Sequence, residues 1–453
     1  MAYFNRRIRN QQSETITLGD GVNAFDTVYS IRRSEAVDSR NLTSKDYPAL
    51  SVRGGVASAF SNLTTPNGAT VRDGTELHII DGTTWKRWNG SSWADVATGL
   101  TNAPANFAEF NRQTDRLTLM FNGTDKRAWD GSSVINLTEA DTTRLIHVDD
   151  DRLYTIKGAT LKVSATLDPT DFTTVFNSDV KTIGGMQGQA TAITGYEGVK
   201  IMFSDKTMHL LYGDMFDNFQ LMDPISAGCV SHRSIVQCKG LLYFMDYGEF
   251  KVYTGGFPTN VSHKVKKYLE GIKYSLKEKI VSGVSGKYIY ISIPYGSSAT
   301  DNNLTLEFDV DMQLWYPISK GYVNFFNIGQ DLYGVVANGG IEKMNTGNHT
   351  GTWYHETGII TPTPVRPNKT LSDMWLEIEL PTGSTMKVGY TETVDGGTFT
   401  DIANFTAKTG NQKTRVKIPT NVLANKERYR LKFSGEGTAK IHFLEIYERV
   451  KER

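Results

Sequence analysis

Carboxylates are the most plentiful candidates for chemistry in this chain. Asp149, Asp150, Asp151, Glu197, Asp205, Asp246 and Glu249 stand near turn-like stretches in its middle. A glycosidase needs an acid and a second carboxylate held on opposite sides of a glycosidic bond. No spacing here marks two of these residues as such a pair. The eight His residues are scattered, and none pairs with another at i, i+4. The phosphate-cradling GxxxxGK[ST], a GxGxxG after a strand, the zinc-binding HExxH and the nucleophile elbow GxSxG are all missing. Cys229 and Cys238 do not have CxxC spacing and have no His pair beside them. They read as small strand residues with free thiols, the alternative being a disulfide between adjacent strands. The residues thus predict no enzyme, no cofactor and no metal site.

The aromatic candidates are Trp85, Trp88 and Trp93, with Trp129 further on. Exposed, such rings stack on sugars; packed between sheets, they are core. The segment IIDGTTWKRWNGSSWADV (79–96) aligns without gaps on MFNGTDKRAWDGSSVINL (120–137), an offset of 41 residues. Trp129 falls on Trp88, which favours a structural role repeated from unit to unit. Asn89-Gly90 falls on Asp130-Gly131, and such pairs between apolar runs signal hairpin turns because Gly and Asn tolerate positive φ. A loop over Asn89–Ser92 sets Trp88 opposite Trp93. DGTTW at Asp81–Trp85 is similar to the Asp-box of sialidase propellers but lacks a residue between Asp and Gly. A plain turn accounts for the same residues.

Weaker copies of the unit follow at 151–164, 199–213, 241–256, 288–310 and 331–347. Several strands per unit and a period near 40 residues predict an all-β, β-propeller-like region over 65–350 with six to eight blades, seven by count of units. Look-alike hairpins in a β-sandwich are the alternative. Residues 1–64 hold few long apolar runs and read as an extended arm. The Pro-rich TPTPVRPNK (361–369) and the alternating strands after it predict a C-terminal β-sandwich over 351–453. Val265, Leu269 and Ile272 give 263–279 a helical look.

Basic residues gather in two places. Arg6, Arg7, Arg9, Arg32 and Arg33 lie in the arm with Phe25 and Tyr29, and this set is the expected surface for a partner. Lys264, Lys266, Lys267, Lys273, Lys277 and Lys279 crowd the helical segment and read as a solvated face. The whole chain of 453 residues balances 49 Lys+Arg against 49 Asp+Glu. That neutrality argues against tight binding to nucleic acid and leaves self-association unopposed. MAYFNRRIRN is not a secretory signal, and no apolar run is long enough for a membrane helix.

Three stretches carry a family resemblance. DSRNLTSKDYPALSVRGG (38–55) closes the arm. The block 193–258 contains GCVSHRSIVQCKGLLYFMD, and ERYRLKFSGEGTAKIHFLEIYER (427–449) lies near the end. Together they resemble phage virion proteins of the tail-nozzle type, β-propellers at the distal end of short tails. Tyr247 in MDYGEF departs from the short polar residue expected in that turn. The resemblance implies a homo-oligomeric, hexameric ring below the portal and adaptor proteins. Viral DNA would pass through its channel, with tail fibres or spikes outside, in a virion assembled in the host cytoplasm. The competing expectations are a carbohydrate- or receptor-binding propeller and a polysaccharide hydrolase.

Overall fold

The computed structural model describes residues 11–60, 63–174, 177–213, 219–360, 369–407, 413–424 and 426–450. The regular structure among these residues is almost entirely β. The middle of the chain forms seven small antiparallel sheets of four strands each. Six are meanders of consecutive strands, within 66–97, 106–136, 146–182, 190–221, 236–260 and 281–318. The seventh takes three strands from 324–343 and its fourth, Ala57–Ala59, from near the start of the chain. They are numbered one to seven here in that order.

Each small sheet buries both faces, which is why its second strand is a nearly continuous apolar run. In sheet one Leu77 and Ile79 point toward Phe326, Val335 and Ile341 of sheet seven. Ile80, on the opposite face, packs with Met120 and Trp129 of sheet two. The same arrangement joins sheets two and three, three and four, four and five, five and six, and six and seven. Seven apolar interfaces thus link seven sheets in a cycle. The first strands of the sheets touch one another around it, from Pro66–Arg72 to Asn324–Ile328 and back, with the 3-10 turn His232–Ser234 standing in at sheet five.

The 41-residue repeat has the same geometry in both copies. Ile79↔Lys86 in sheet one corresponds to Met120↔Arg127 in sheet two, and Trp88↔Trp93 to Trp129↔Val134. The Asn89 side chain accepts from the Ser91 and Ser92 amides, and Asp130 accepts from those of Ser132 and Ser133. Gly90 and Gly131 both have φ near 100° (101° and 104°). Trp88 packs toward sheet seven and Trp129 toward sheet one, so each faces the sheet before its own.

The described part of the expected arm is not extended. Gln11–Ile16 pairs with Lys440–Val450, and Leu50–Val52 meets the same strand near its other end. Ala36–Arg40 pairs with Thr352–Thr357. Two larger sheets of six and five strands result, both mixing N-terminal and C-terminal segments. Their shared core takes Ile16, Leu18, Leu42, Leu50 and Val52 from the start of the chain and Leu376, Leu431, Phe433 and Leu444 from its end. The described residues up to Val52 thus belong with the C-terminal strands, and the crossing into the small sheets lies at 53–56, a few residues before 64. Strands of two to six residues are too short to show an alternating pattern, and their partners lie hundreds of residues away. Residues 1–10 and most of the Pro-rich stretch, 361–368, lie outside the described residues.

The helical segment is two 3-10 turns, His263–Val265 and Tyr274–Lys279, around one short helix, Lys266–Glu270. Val265, Leu269 and Ile272 are buried between sheets five and six. The lysines are partly paired: Lys264 meets Glu35 at 2.7 Å, Lys277 meets Asp205 and Lys279 meets Asp301. Cys229 and Cys238 are free and sit in two different cores.

The chain enters the cycle through 53–56 and leaves it through 344–351, and the two segments run side by side. The Gly55 amide donates to Gly347 O (3.2 Å), and the Thr346 amide donates to Gly55 O (2.9 Å). A Cβ on Gly55 would lie 2.3 Å from Asn348 O, and one on Gly54 would lie 2.8 Å from the Asn345 backbone. Gly55→Ala should therefore cost about 1–3 kcal/mol, the usual cost of overpacking. Chemical denaturation of the full chain checks this, with Gly256→Ala, where a Cβ meets nothing within 4 Å, as the comparison. A fragment starting at residue 351 lacks Ile16, Leu18, Leu42 and Leu50, so it should aggregate. Linking residues 11–52 to it should restore one cooperative melting transition.

Candidate functional site

The first strands of the small sheets enclose an axis, and the irregular turn at His232–Ser234 places side chains on it. Ser231 has extended backbone (φ −151°), and the chain then tightens into a single turn before Val236–Cys238 resumes the strand. Ser234 Oγ donates to Ser231 O at 2.7 Å and accepts from the Met245 amide, holding the turn from below. His232 and Arg233 consequently project inward instead of following a strand's alternation.

Three small cavities meet at these two residues. One of about 210 Å³ is lined by Asn106, Thr143, Arg144, Lys157, His232, Arg233 and Glu278, among others. A second, about 280 Å³, lies between His147, Ile193 and His232. The third, about 160 Å³, is bounded by Pro66, Arg233, Lys279, Asp301 and Val323. Arg233 reaches across the axis, donating to Val323 O and Glu278 O, both at 3.2 Å. The Arg144 guanidinium pairs with the Glu278 carboxylate at 2.5 Å. Burial, with Arg144 close by, pushes the Arg233 guanidinium down to about 10, so it stays charged at neutral pH. Burial and the neighbouring cations push His232 down to about 3 and lower His147 as well. Both imidazoles are neutral. The His232 Nδ1 accepts from the Ile193 amide at 3.4 Å. His147 packs against Gly195, where a Cβ would be 2.6 Å from Nε2.

A second polar cluster lies where sheets six and seven meet the larger sheets. Glu307 accepts from Thr43 Oγ1 and is fully buried. Burial pushes its carboxyl up to about 7, although Thr43, Arg53 and Tyr290 favour the charged form. Asp309 takes the Ser44 hydroxyl and Lys287 (2.8 Å). The Tyr290 hydroxyl accepts from Asn345, and Tyr316 donates to Gly19 O. A cleft of about 580 Å³ opens beside this cluster, lined by Thr43, Lys45, Lys287, Tyr288, Tyr290 and Asn327 among others.

The residues singled out in the sequence do not gather at either place. Trp85 is fully buried, and its indole N–H donates to His78 Nδ1 at 3.1 Å. Burial, then Arg72 and Arg87, push that imidazole down to about 3, so Glu76 at 3.5 Å faces a neutral ring. Trp129 is buried, with Arg87 over its face. Trp88 and Trp93 are half-buried and meet edge to face, 5.3 Å apart, with Phe60 against both. None of the four forms an open stacking platform.

Phe25 is 44% exposed and lies on His263, 3.9 Å between ring centres. Tyr29, 59% exposed, accepts from Arg428 at 2.9 Å. Arg33 pairs with Glu14, while Arg32 is exposed. Phe25, Tyr29 and Arg33 thus tie the 23–35 loop to the helical segment and the larger sheets. Arg6, Arg7 and Arg9 lie outside the described residues. Tyr247 stacks on Tyr274 at 4.1 Å, which gives its bulk a partner in the turn. SHRSI lies in a stretch that carries the family resemblance, but no motif there marks His232 and Arg233 as axial. The one local signal is a non-alternating polar stretch where the first strand of a unit should begin.

No protein-family model matches the chain, and no curated protein matches it in sequence. Among solved structures it is similar to BamB from Moraxella catarrhalis at 11% identity, with 68% of this chain and 97% of that one covered and a TM-score of 0.43. It is similar to a streptogramin B lyase at 8% identity, covering 64% and 96%, with a TM-score of 0.44. A computationally designed protein aligns at 10% identity over 74% and 100%, with a TM-score of 0.41. At such scores the strand order carries the fold: the chain is all-β and β-propeller-like in its run of four-stranded sheets. Among the described residues no group of three or more His, Cys, Asp or Glu is placed to hold a metal, and no helix is long and apolar enough to cross a membrane.

Glu307 gives the junction a pH signature. Its carboxyl stays protonated to about pH 7 in the folded chain, while in the unfolded chain it ionises near 4.5. The folded state thus binds more protons in that window, and stability should fall as pH rises from 4.5 to 7, by roughly 3 kcal/mol from this group. Urea denaturation across pH 5–8 measures the slope, and Glu307→Gln should flatten it.

Proposed function

We propose that this chain is a structural virion protein of a short phage tail, of the nozzle type. In this reading the seven small sheets are the blades of one closed seven-bladed propeller, and the two larger sheets are the faces of a β-sandwich. Six copies close a ring below the portal and adaptor proteins. Viral DNA is retained by that ring and later leaves through it, and fibres or spikes attach outside.

The observation that carries the reading is the tie between the two ends of the chain. Ala57–Ala59 completes the seventh small sheet, and Gln11–Ile16 and Leu50–Val52 pair with Lys440–Val450. Ring-forming and sandwich-like parts are thereby joined by two adjacent crossings instead of one linker. Such a unit resists being pulled open from either end, which suits a part that bears load. Among the described residues the axis within one chain is crossed by Arg233 and holds cavities of 160–280 Å³. A duplex does not fit there, so its path must run between copies. A neutral chain also fits a conduit, because each phosphate neutralised by a Lys or Arg would add affinity that slows passage.

Closure of a ring requires two different patches of each copy to meet. Native mass spectrometry and electron microscopy of the full chain, alone and with its adaptor, test the reading. Six copies around an open centre are expected. A chain that stays monomeric at all concentrations and with the adaptor present would overturn it.

A further inference from the structure

We propose that the 210 Å³ axial cavity binds a small oxyanion of the phosphate or sulfate class, with Arg233 as its principal ligand. The inference rests on the chain's own axis and does not depend on the nozzle reading.

The cavity wall carries three cations, Arg144, Arg233 and Lys157, and one carboxylate, Glu278. Glu278 is engaged by Arg144. Among the described residues Arg233 forms no ion pair. Two of its nitrogens donate to the backbone carbonyls of Val323 and Glu278. A guanidinium has five N–H donors in a planar fork, so donors remain to face the cavity. Lys157 likewise has no carboxylate partner, and its Nζ donates to Thr142 Oγ1 at 2.7 Å. Arg233 is half-buried and Lys157 is exposed, so an anion entering the cavity meets one guanidinium with spare donors and one solvent-accessible ammonium. Ser231 and Thr143 spend their hydroxyl protons on Ile280 O and Ile156 O, so the donors for an anion come from Arg233 and Lys157.

Geometry selects the size of the ligand. The turn at His232–Ser234 brings Arg233 in from sheet five, Arg144 comes from the segment before the first strand of sheet three, and Glu278 from the loop before sheet six. The site is thus assembled from three separate units of the cycle, and the ring of first strands bounds it. A tetrahedral oxyanion matches both the volume and the fork of the guanidinium, which binds such groups in a bidentate way. His232 is neutral, so it would contribute a hydrogen bond and no charge.

The test is thermal unfolding and calorimetry of the full chain with inorganic phosphate, against chloride at equal ionic strength. A saturable rise in Tm with phosphate is expected. Arg233→Gln should raise the apparent Kd at least tenfold, and Arg233→Lys should retain weaker binding. Lys343→Gln, which removes a surface pair with Asp331, should respond as the unaltered chain does. Should Arg233→Gln fail to fold, Lys157→Gln should still weaken phosphate severalfold, and a crystal soaked in selenate should show an anomalous peak in the cavity. Phosphate acting no more than chloride, an undiminished shift in Arg233→Gln or Lys157→Gln, or an empty cavity in selenate would each overturn the proposal. So would protection by duplex oligonucleotide without any by phosphate.

Discussion

Backbone pairing between residues 57–59 and 341–343 closes the cycle of small sheets, and the rest of the structure depends on that closure. A four-stranded sheet of this size cannot cover its own faces. Each one borrows its cover from two neighbours, as sheet one does from sheets seven and two. An open row would leave two apolar faces in water. The closing strand contributes only Ala57, Ser58 and Ala59, so its own burial is slight. Its importance is positional: it holds sheet seven next to sheet one, where Phe326, Val335 and Ile341 meet Leu77 and Ile79. Gly54 and Gly55 allow the entering and leaving segments to lie against each other at that point.

The same closure creates the axis, and the axis is where the structure departs from regular geometry. A strand beginning at Ser231 would send alternate side chains into the two neighbouring interfaces. The 3-10 turn instead sends His232 and Arg233 inward, and the cavity accommodates a charge that no described carboxylate neutralises directly. The junction around Glu307 solves a similar problem by protonation. In one place a half-buried charge is kept, and in the other a fully buried one is partly suppressed.

Local features of the fold were legible in the sequence. The turns at Asn89-Gly90 and Asp130-Gly131 depend on residues within four positions of each other, and the 41-residue offset recurs in the strand registers. The long apolar second strands were legible because burial on both faces removes the need for polar residues. The N-terminal strands were not, since Gln11–Ile16 and Leu50–Val52 gain their meaning only from Lys440–Val450. Pairing over such a span leaves no periodic trace in either segment. The axial Arg233 was hidden for a related reason: nothing in SHRSI says that Glu278 and Val323 lie beside it. Trp85 illustrates the converse, because its neighbour in chemistry, His78, is only seven residues away but pairs through the fold of the hairpin.

The central claim is that the two ends of the chain lock the cycle of sheets and the larger sheets into one cooperative unit. Native-state hydrogen exchange of the full chain, read by mass spectrometry at increasing denaturant, tests it most directly. The account predicts that amides of 57–59 and 341–343 and those of 50–52 and 440–441 open only in the same transition that exposes the second strands of all seven small sheets. Exchange of 57–59 and 341–343 at low denaturant, while the small sheets stay protected, would contradict it.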